Sequence, residues 1–280
     1  MMGKKKKLMK LAEASMKILK NGKLKVSKGQ KIKLDPFIDG SVEAAIVSRL
    51  NGVITKEDVV VDTTDLHLEI DTNLTSDLRV AELHSRVSNK NNVGPCTIAM
   101  VVSKKEALKM FDFLSDSTIG TILRTSTLAS IYKKIKPQWV DLNDEDKTQF
   151  TNVMYIPNIM MFIDSETGKF KKHPTSLNLL ILAVPNPNKM DEDGVEELSD
   201  EDAAARVIAD VMEAGIKCGA KDLIINPYCN KLLEKDEHST AVLWNQIITS
   251  QRVIEQYHSI TFSIEDDNQF VIFNAVRSKK

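Results

Sequence analysis

Three short groups of residues in this chain combine side chains that can bind or transform a ligand: Asp62 and Asp65 around two threonines, Asn188 at the end of Pro185-Asn186-Pro187-Asn188, and Tyr228-Cys229-Asn230. A cysteine attacks only as the thiolate, which needs a lowered pKa or an adjacent base. No histidine sits beside Cys229 in sequence, so it reads as a small buried residue. Glu106, Asp112 and Asp116 are carboxylates of the kind that serve as general acids, although each reads first as a surface charge. Metal chemistry is not expected. Cys96, Cys218 and Cys229 lack ligand spacing, and His67, His84, His173, His238 and His258 offer no pair one helical turn apart. No cofactor is implied, and an odd number of cysteines fits free thiols in a reducing, cytoplasmic setting.

The elements that must position these residues alternate between helix and strand. Lys4, Lys5, Lys6 and Lys7 lead into Leu8, Leu11, Ala12, Met16, Ile18 and Leu19, whose spacing predicts an amphipathic helix stopped by Asn21-Gly22. A short strand is expected over residues 31–34 and a buried one at Val59, Val60 and Val61, followed by a helix over 77–87. Residues 96–102 read as another buried strand, followed by a helix-like stretch through Phe113. A second helix is expected from Gly120 to Ile135, stopping before Pro137.

Residues 153–156 and 159–163 read as two strands separated by Pro157-Asn158. The turn 164–168 and a long apolar strand over 177–184 follow. An acidic loop over 190–202 supplies an N-cap for a helix through Ala203, Val207, Val211 and Ala214, which Gly219 ends. A strand at 222–226, a helix from His238 to Tyr257 and strands at 259–264 and 269–275 complete the pattern. Such alternation predicts an α/β fold with a central mixed sheet covered on both faces. Ligands bind such sheets beyond the carboxyl ends of the strands, which selects the loops after Val61, Val102, Val184 and Asn226.

The bulk numbers narrow the partners. The chain has 280 residues, 42% hydrophobic, enough for one large core. Its 38 basic and 39 acidic residues nearly cancel, so a global pull toward nucleic acid or anionic lipid is not expected, and any such contact would be local, through the Lys4 to Lys7 tail. No apolar run reaches the roughly 18 residues of a spanning helix, so no membrane partner is expected.

In order, spacing and punctuation, residues 153–188 resemble the segment after the catalytic loop of microbial-type poly(ADP-ribose) glycohydrolases, a macrodomain family. Leu11 to Leu19 with Asn21-Gly22 and Gly29 resembles that family's opening helix and turn, and residues 59–65 its strand and acidic turn. Residues 96–102 are similar to the strand entering the catalytic loop. Arg124-x-Ser126-x-Leu128 is similar to the helix leaving it, and residues 206–230 to the late helix, strand and phosphate loop. The resemblance implies a three-layer α/β/α macrodomain-like fold with an N-terminal helical extension. Residues 1–35 would form a basic helix and strand packed on the core, and 36–280 the macrodomain-like domain.

The departures bear on function. The family carries Gly-Gly-Gly and then Gln-Glu-Glu before its Arg-x-Ser helix, with a Glu that protonates the leaving ribose oxygen. Here those last three positions are Thr118, Ile119 and Gly120, and the triple glycine falls near Lys109 and Met110. Tyr228-Cys229-Asn230 keeps the cysteine of the second phosphate loop without its flanking glycines. No catalytic residue is therefore assigned. Through the resemblance, Asp62 and Asp65 are candidates for an adenine amino group or a ribose, or else a strand-ending turn, and Asn188 is a candidate polar contact at the crevice. Tyr228, Cys229 and Asn230 complete the candidate ligand-binding set. The expected role is a catalytically inactive relative that binds a protein partner or itself, with an ADP-ribose-like nucleotide as a further ligand. The alternative is an active glycohydrolase with a rebuilt loop. Residues 103–120 are expected to fill the crevice with Leu108, Phe111 or Phe113.

Overall fold

The structure is a computed structural model that describes residues 2–21, 23–27, 30–33, 45–47, 70–71, 95–115, 117–144, 151–164, 167–184, 200–228, 236–250, 253, 255–264 and 266–278. In chain order these form α1 (Met2–Asn21), β1 (Lys23–Ser27), β2 (Gln30–Lys33), β3 (Ala45–Val47), β4 (Ile70–Asp71) and β5 (Thr97–Ser103). Then come α2 (Lys104–Ala107), α3 (Thr118–Thr125), α4 (Leu128–Asp144), β6 (Asn152–Ile163) and β7 (Phe170–Val184). The chain continues through α5 (Asp200–Lys217), β8 (Asp222–Ile225), α6 (Glu237–Ile248), β9 (Ser259–Ser263) and α7 (Asp267–Ser278).

Seven strands make one mixed sheet in the order β3-β6-β7-β5-β8-β9-β4, with β3, β6 and β7 antiparallel and the run from β7 to β4 parallel. The apolar run in β7 explains why helices cover both faces. Leu180, Leu182 and Val184 pack with α5, α6 and α7, while Leu179, Ile181 and Ala183 pack with α2, α3 and α4. A strand buried on both sides has no polar face to show to water. The result is a three-layer α/β/α architecture around a central mixed sheet. Leu19 of α1 joins Ala129, Phe162 and Ile163 in a third, smaller cluster.

The tertiary structure corrects several of the expected elements. The two strands around Pro157-Asn158 are one strand, β6, with a register shift between Ile156 and Ile159. Asn158 takes φ of 54°, a value open to asparagine, and its N–H donates to Asn178 Oδ1 at 2.9 Å. A bulge thus absorbs the proline without ending the ladder.

The helix expected through Phe113 ends at Ala107, because Met110 and Phe111 turn into the core. The helix expected over 120–135 is two helices, broken where Ser126 Oγ donates to Ile122 O at 2.6 Å and accepts from Leu128 N at 3.1 Å. Thr127 N donates to Met160 O at 3.0 Å and anchors the break to β6.

Pro137 lies inside α4 and does not stop it, since Trp139 is fully buried beyond it and Asn143 Nδ2 donates to Trp139 O at 2.8 Å. The helix expected to reach Tyr257 stops at Ile248, with Thr249 as its C-cap. The strand expected at 269–275 is α7: Asp266 Oδ1 accepts from Asn268 N and Gln269 N, and Phe273 and Val276 are buried one turn apart. β1 was not expected; it pairs with β2 in a separate ribbon. Residues 59–61 and 77–87 lie outside the described residues.

Candidate functional site

In a sheet of this topology a ligand crevice opens where the parallel strands end, at Ser103 of β5, paired with Val184 of β7, and at Ile225 of β8, paired with Ala99 of β5. Of the candidate contacts, Asp62, Asp65, Asn188, Cys229 and Asn230 lie outside the described residues. Tyr228 is described. Its N–H donates to Asn226 Oδ1 at 2.8 Å in the turn after β8. Its ring is 4% exposed, edge-on to Phe273, and its hydroxyl donates to Glu237 O at 3.3 Å. The Tyr228 side chain is thus committed to the α6–α7 layer.

The segment after β5 is held from within. Ser103 caps α2 through a reciprocal pair: Glu106 N donates to Ser103 Oγ at 3.2 Å, and Ser103 N donates to Glu106 Oε2 at 2.9 Å. The Ser103 hydroxyl also donates to Glu106 Oε2 at 2.8 Å, so this carboxylate is engaged at its own helix start. Asp112 Oδ1 accepts from Leu114 N at 2.9 Å and shapes the turn. Asp116 lies outside the described residues.

Beneath the turn lies a buried guanidinium. Arg124, 2% exposed, donates through Nη1 to Phe113 O at 2.6 Å and Ser115 O at 2.5 Å, and through Nη2 to Thr121 Oγ1 at 3.2 Å. Charge-assisted bonds of this kind are short and strong, and here they draw loop 113–115 down onto α3. Ser117 caps α3 by accepting from Gly120 N at 3.1 Å. Met110 and Phe111 sit in the α2–α4 core, while Phe113 is half-buried and meets Tyr132 edge-on at 4.8 Å between ring centroids. Leu108 is half-buried as well.

Gly120 marks where the clasp is tightest. A Cβ built there would overlap Ser115 O and fall 2.9 Å from Asp112 O, both backbone atoms that cannot swing aside. Of the three positions aligned with Gln-Glu-Glu, Ile119 is 1% exposed in the core and Gly120 has no room for any side chain. The sequence reading missed this use of Arg124 and Gly120. The available signal was a lone arginine in the apolar stretch Ile119-Gly120-Thr121-Ile122-Leu123.

Other reactive groups are quiet. Burial pushes the Cys218 thiol up to about 11, which keeps it protonated at neutral pH, and Cys96 is buried. Asp210 of α5, 6% exposed, accepts a hydrogen bond from Thr151 Oγ1, and burial is the main reason its carboxyl is raised above the ordinary range. Glu213, one turn on, pairs with Lys217 at 3.4 Å. No group of three or more potential metal ligands occurs among the described residues. No described helix is long and apolar enough to cross a membrane.

This architecture matches solved structures of poly(ADP-ribose) glycohydrolase. The enzyme from Thermomonospora curvata superposes with a TM-score of 0.66 over 96% of this chain and 99% of its own, at 14% identity. The fold is that of the bacterial poly(ADP-ribose) glycohydrolases. The Thermomonospora curvata enzyme bound to the inhibitor ADP-HPD gives 0.61 at 15% identity, over 96% and 98% of the two chains. The glycohydrolase from Deinococcus radiodurans in complex with ADP-ribose gives 0.55 at 14% identity, over 76% of this chain and 84% of its own. No protein-family model matches the sequence, and no curated protein matches it. The glycohydrolase fold is thus present at very low sequence identity.

Proposed function

We propose that this chain keeps the glycohydrolase fold without its glycosidic chemistry and works as a binding module that engages a protein partner or a second copy of itself. The observation that carries the reading is the clasp of Arg124 on Phe113 O and Ser115 O above a glycine with no space for a side chain. Cleaving a glycosidic bond calls for a carboxylic acid positioned at the leaving oxygen. Gly120 carries none, Glu106 is engaged in its capping box, and Asp112 is engaged in its turn. An ADP-ribose-like nucleotide remains the small ligand this fold would accommodate at the strand ends. The contribution of residue 228 would then come from its backbone, because its ring is buried.

The test is incubation of the purified chain with poly(ADP-ribose) while released ADP-ribose is followed, alongside calorimetric titration with ADP-ribose. No release is expected. Turnover above the buffer rate, abolished by substituting Glu106, Asp112 or Asp116, would instead support a rebuilt catalytic loop.

A further inference from the structure

The near-zero net charge conceals a sharp division along the chain. Residues 1–33 hold twelve lysines and one glutamate, a net +11, while the rest hold 26 basic and 38 acidic residues, a net −12. The fold gathers the basic part into one module. Lys5, Lys6, Lys7, Lys10, Lys17 and Lys20 are exposed on α1, and none forms an ion pair among the described residues. In the β1–β2 ribbon Lys23 pairs with Lys33 and Lys25 with Lys31, while Leu24 pairs with Ile32. That register puts the four lysine positions on one face of the ribbon and positions 24 and 32 on the other. Like charges directly opposite destabilise a ribbon, and an anionic partner would relieve that repulsion.

The module lies at one end of β7. β7 joins β5 only from Asn178 onward, so residues 170–177 project past the amino end of β5, opposite the crevice. β1 lies against β7, and Leu11 of α1 lies against Gly168 in the turn just before β7. This projecting end carries Phe170, 45% exposed, among exposed Lys169, Lys172 and His173. The apolar side of α1 is turned inward, with Leu19 buried and Leu11 and Met16 packed against the same cluster, and among the described side chains of α1 the one large apolar group left exposed is Met9, too little for a lipid-binding face.

We infer that the α1–β1–β2 module and the projecting end of β7 bind a single-stranded nucleic acid, the lysines tracking its phosphates and Phe170 stacking on a base. Repeated lysines beside an exposed aromatic are what such a strand requires. α1 packs on α3 and shares an apolar cluster with Phe113, but its exposed lysines and Phe170 face away from that packing, and the inference rests on them and not on the function proposed above.

The test is fluorescence anisotropy of the full chain with a labelled single-stranded oligonucleotide of about 20 residues, between about 50 and 200 mM salt. Expected is binding that weakens with salt by about 0.7 log units per log unit of salt for each phosphate engaged. K23Q/K25Q/K31Q/K33Q should lower that slope by about 3, whereas K105Q/K109Q/K133Q/K136Q should leave it unchanged. Phe170→Ala and Phe170→Leu should each weaken binding about tenfold without altering the slope. Absence of binding at the lowest salt would overturn the inference. So would equal slopes for the two quadruple variants, or tighter binding to phosphatidylserine vesicles or to poly(ADP-ribose) than to the oligonucleotide.

Discussion

In the loop after β5, a single arginine is withdrawn from water and its Nη1 donates to two backbone carbonyls, whereas in the N-terminal ribbon two pairs of lysine positions, 23 with 33 and 25 with 31, are set opposite one another. The first arrangement satisfies its charge internally and ties loop 113–115 down onto α3. The second leaves its charge to whatever arrives from solution. Internal satisfaction rigidifies, because a buried ion without partners is costly. External satisfaction prepares a surface, because exposed charges are cheap to keep and can be neutralised later.

The comparison can be broken most forcefully at Gly120. Gly120→Glu should destabilise the protein by more than about 3 kcal/mol, since a buried carboxylate and a backbone clash combine. Chemical denaturation would register the loss, and Gly120→Ala should cost about 1–3 kcal/mol by the same contact. A Gly120→Glu variant of unchanged stability would show that the loop yields easily and that the clasp is loose.

Arg124→Met should be the next largest effect, roughly 3 kcal/mol, because two backbone carbonyls lose a charged donor. Hydrogen exchange should show faster opening at residues 113–115 with the β5–β7 ladder still protected. If that ladder opened equally, the arginine would be supporting the sheet and not a local loop.

Asp210 asks whether a buried charge elsewhere behaves as Arg124 does. Its folded pKa lies above the unfolded value, mainly through burial, so the native state holds the proton more tightly. The stability this provides is fully present below the unfolded value and is lost as pH rises through the raised folded value. Asp210→Asn keeps an acceptor for Thr151 and removes the charge, so it should be more stable than the parent at neutral pH and lose that advantage in acid. Urea midpoints across pH would show it, and parallel pH profiles for the two proteins would mean that Asp210 is not the group responsible.

The smallest expected effect is at the ribbon. Lys25→Glu replaces a repulsive cross-strand pair with an attractive one and should raise stability by about 0.2–1 kcal/mol while weakening oligonucleotide binding. A gain in stability with unchanged binding would separate the two uses of that face.

Much of the scaffold was legible in the residues. The first helix does end at Asn21, the strand expected over 96–102 is the central β5 at Thr97–Ser103, and Gly219, at φ of 71°, does stop α5 ahead of β8. These are local signals: an apolar period, a cap, a glycine able to adopt a left-handed backbone. They also carried the likeness to the glycohydrolase fold, through order and spacing and not through the functional residues.

What the sequence by itself determined was therefore the alternation of elements, the two-sided apolar strands and the absence of a carboxylate at Thr118, Ile119 and Gly120. Tertiary structure alone decided that residues 267–278 coil as a helix under Asp266, that Pro137 is carried within α4, and that Arg124 folds under the loop and bonds its carbonyls. It also decided the register that sets lysine against lysine across the ribbon. Each of these depends on which distant backbone atom meets a side chain or strand. Such long-range pairings leave little trace in local periodicity, because burial and register belong to the packed whole.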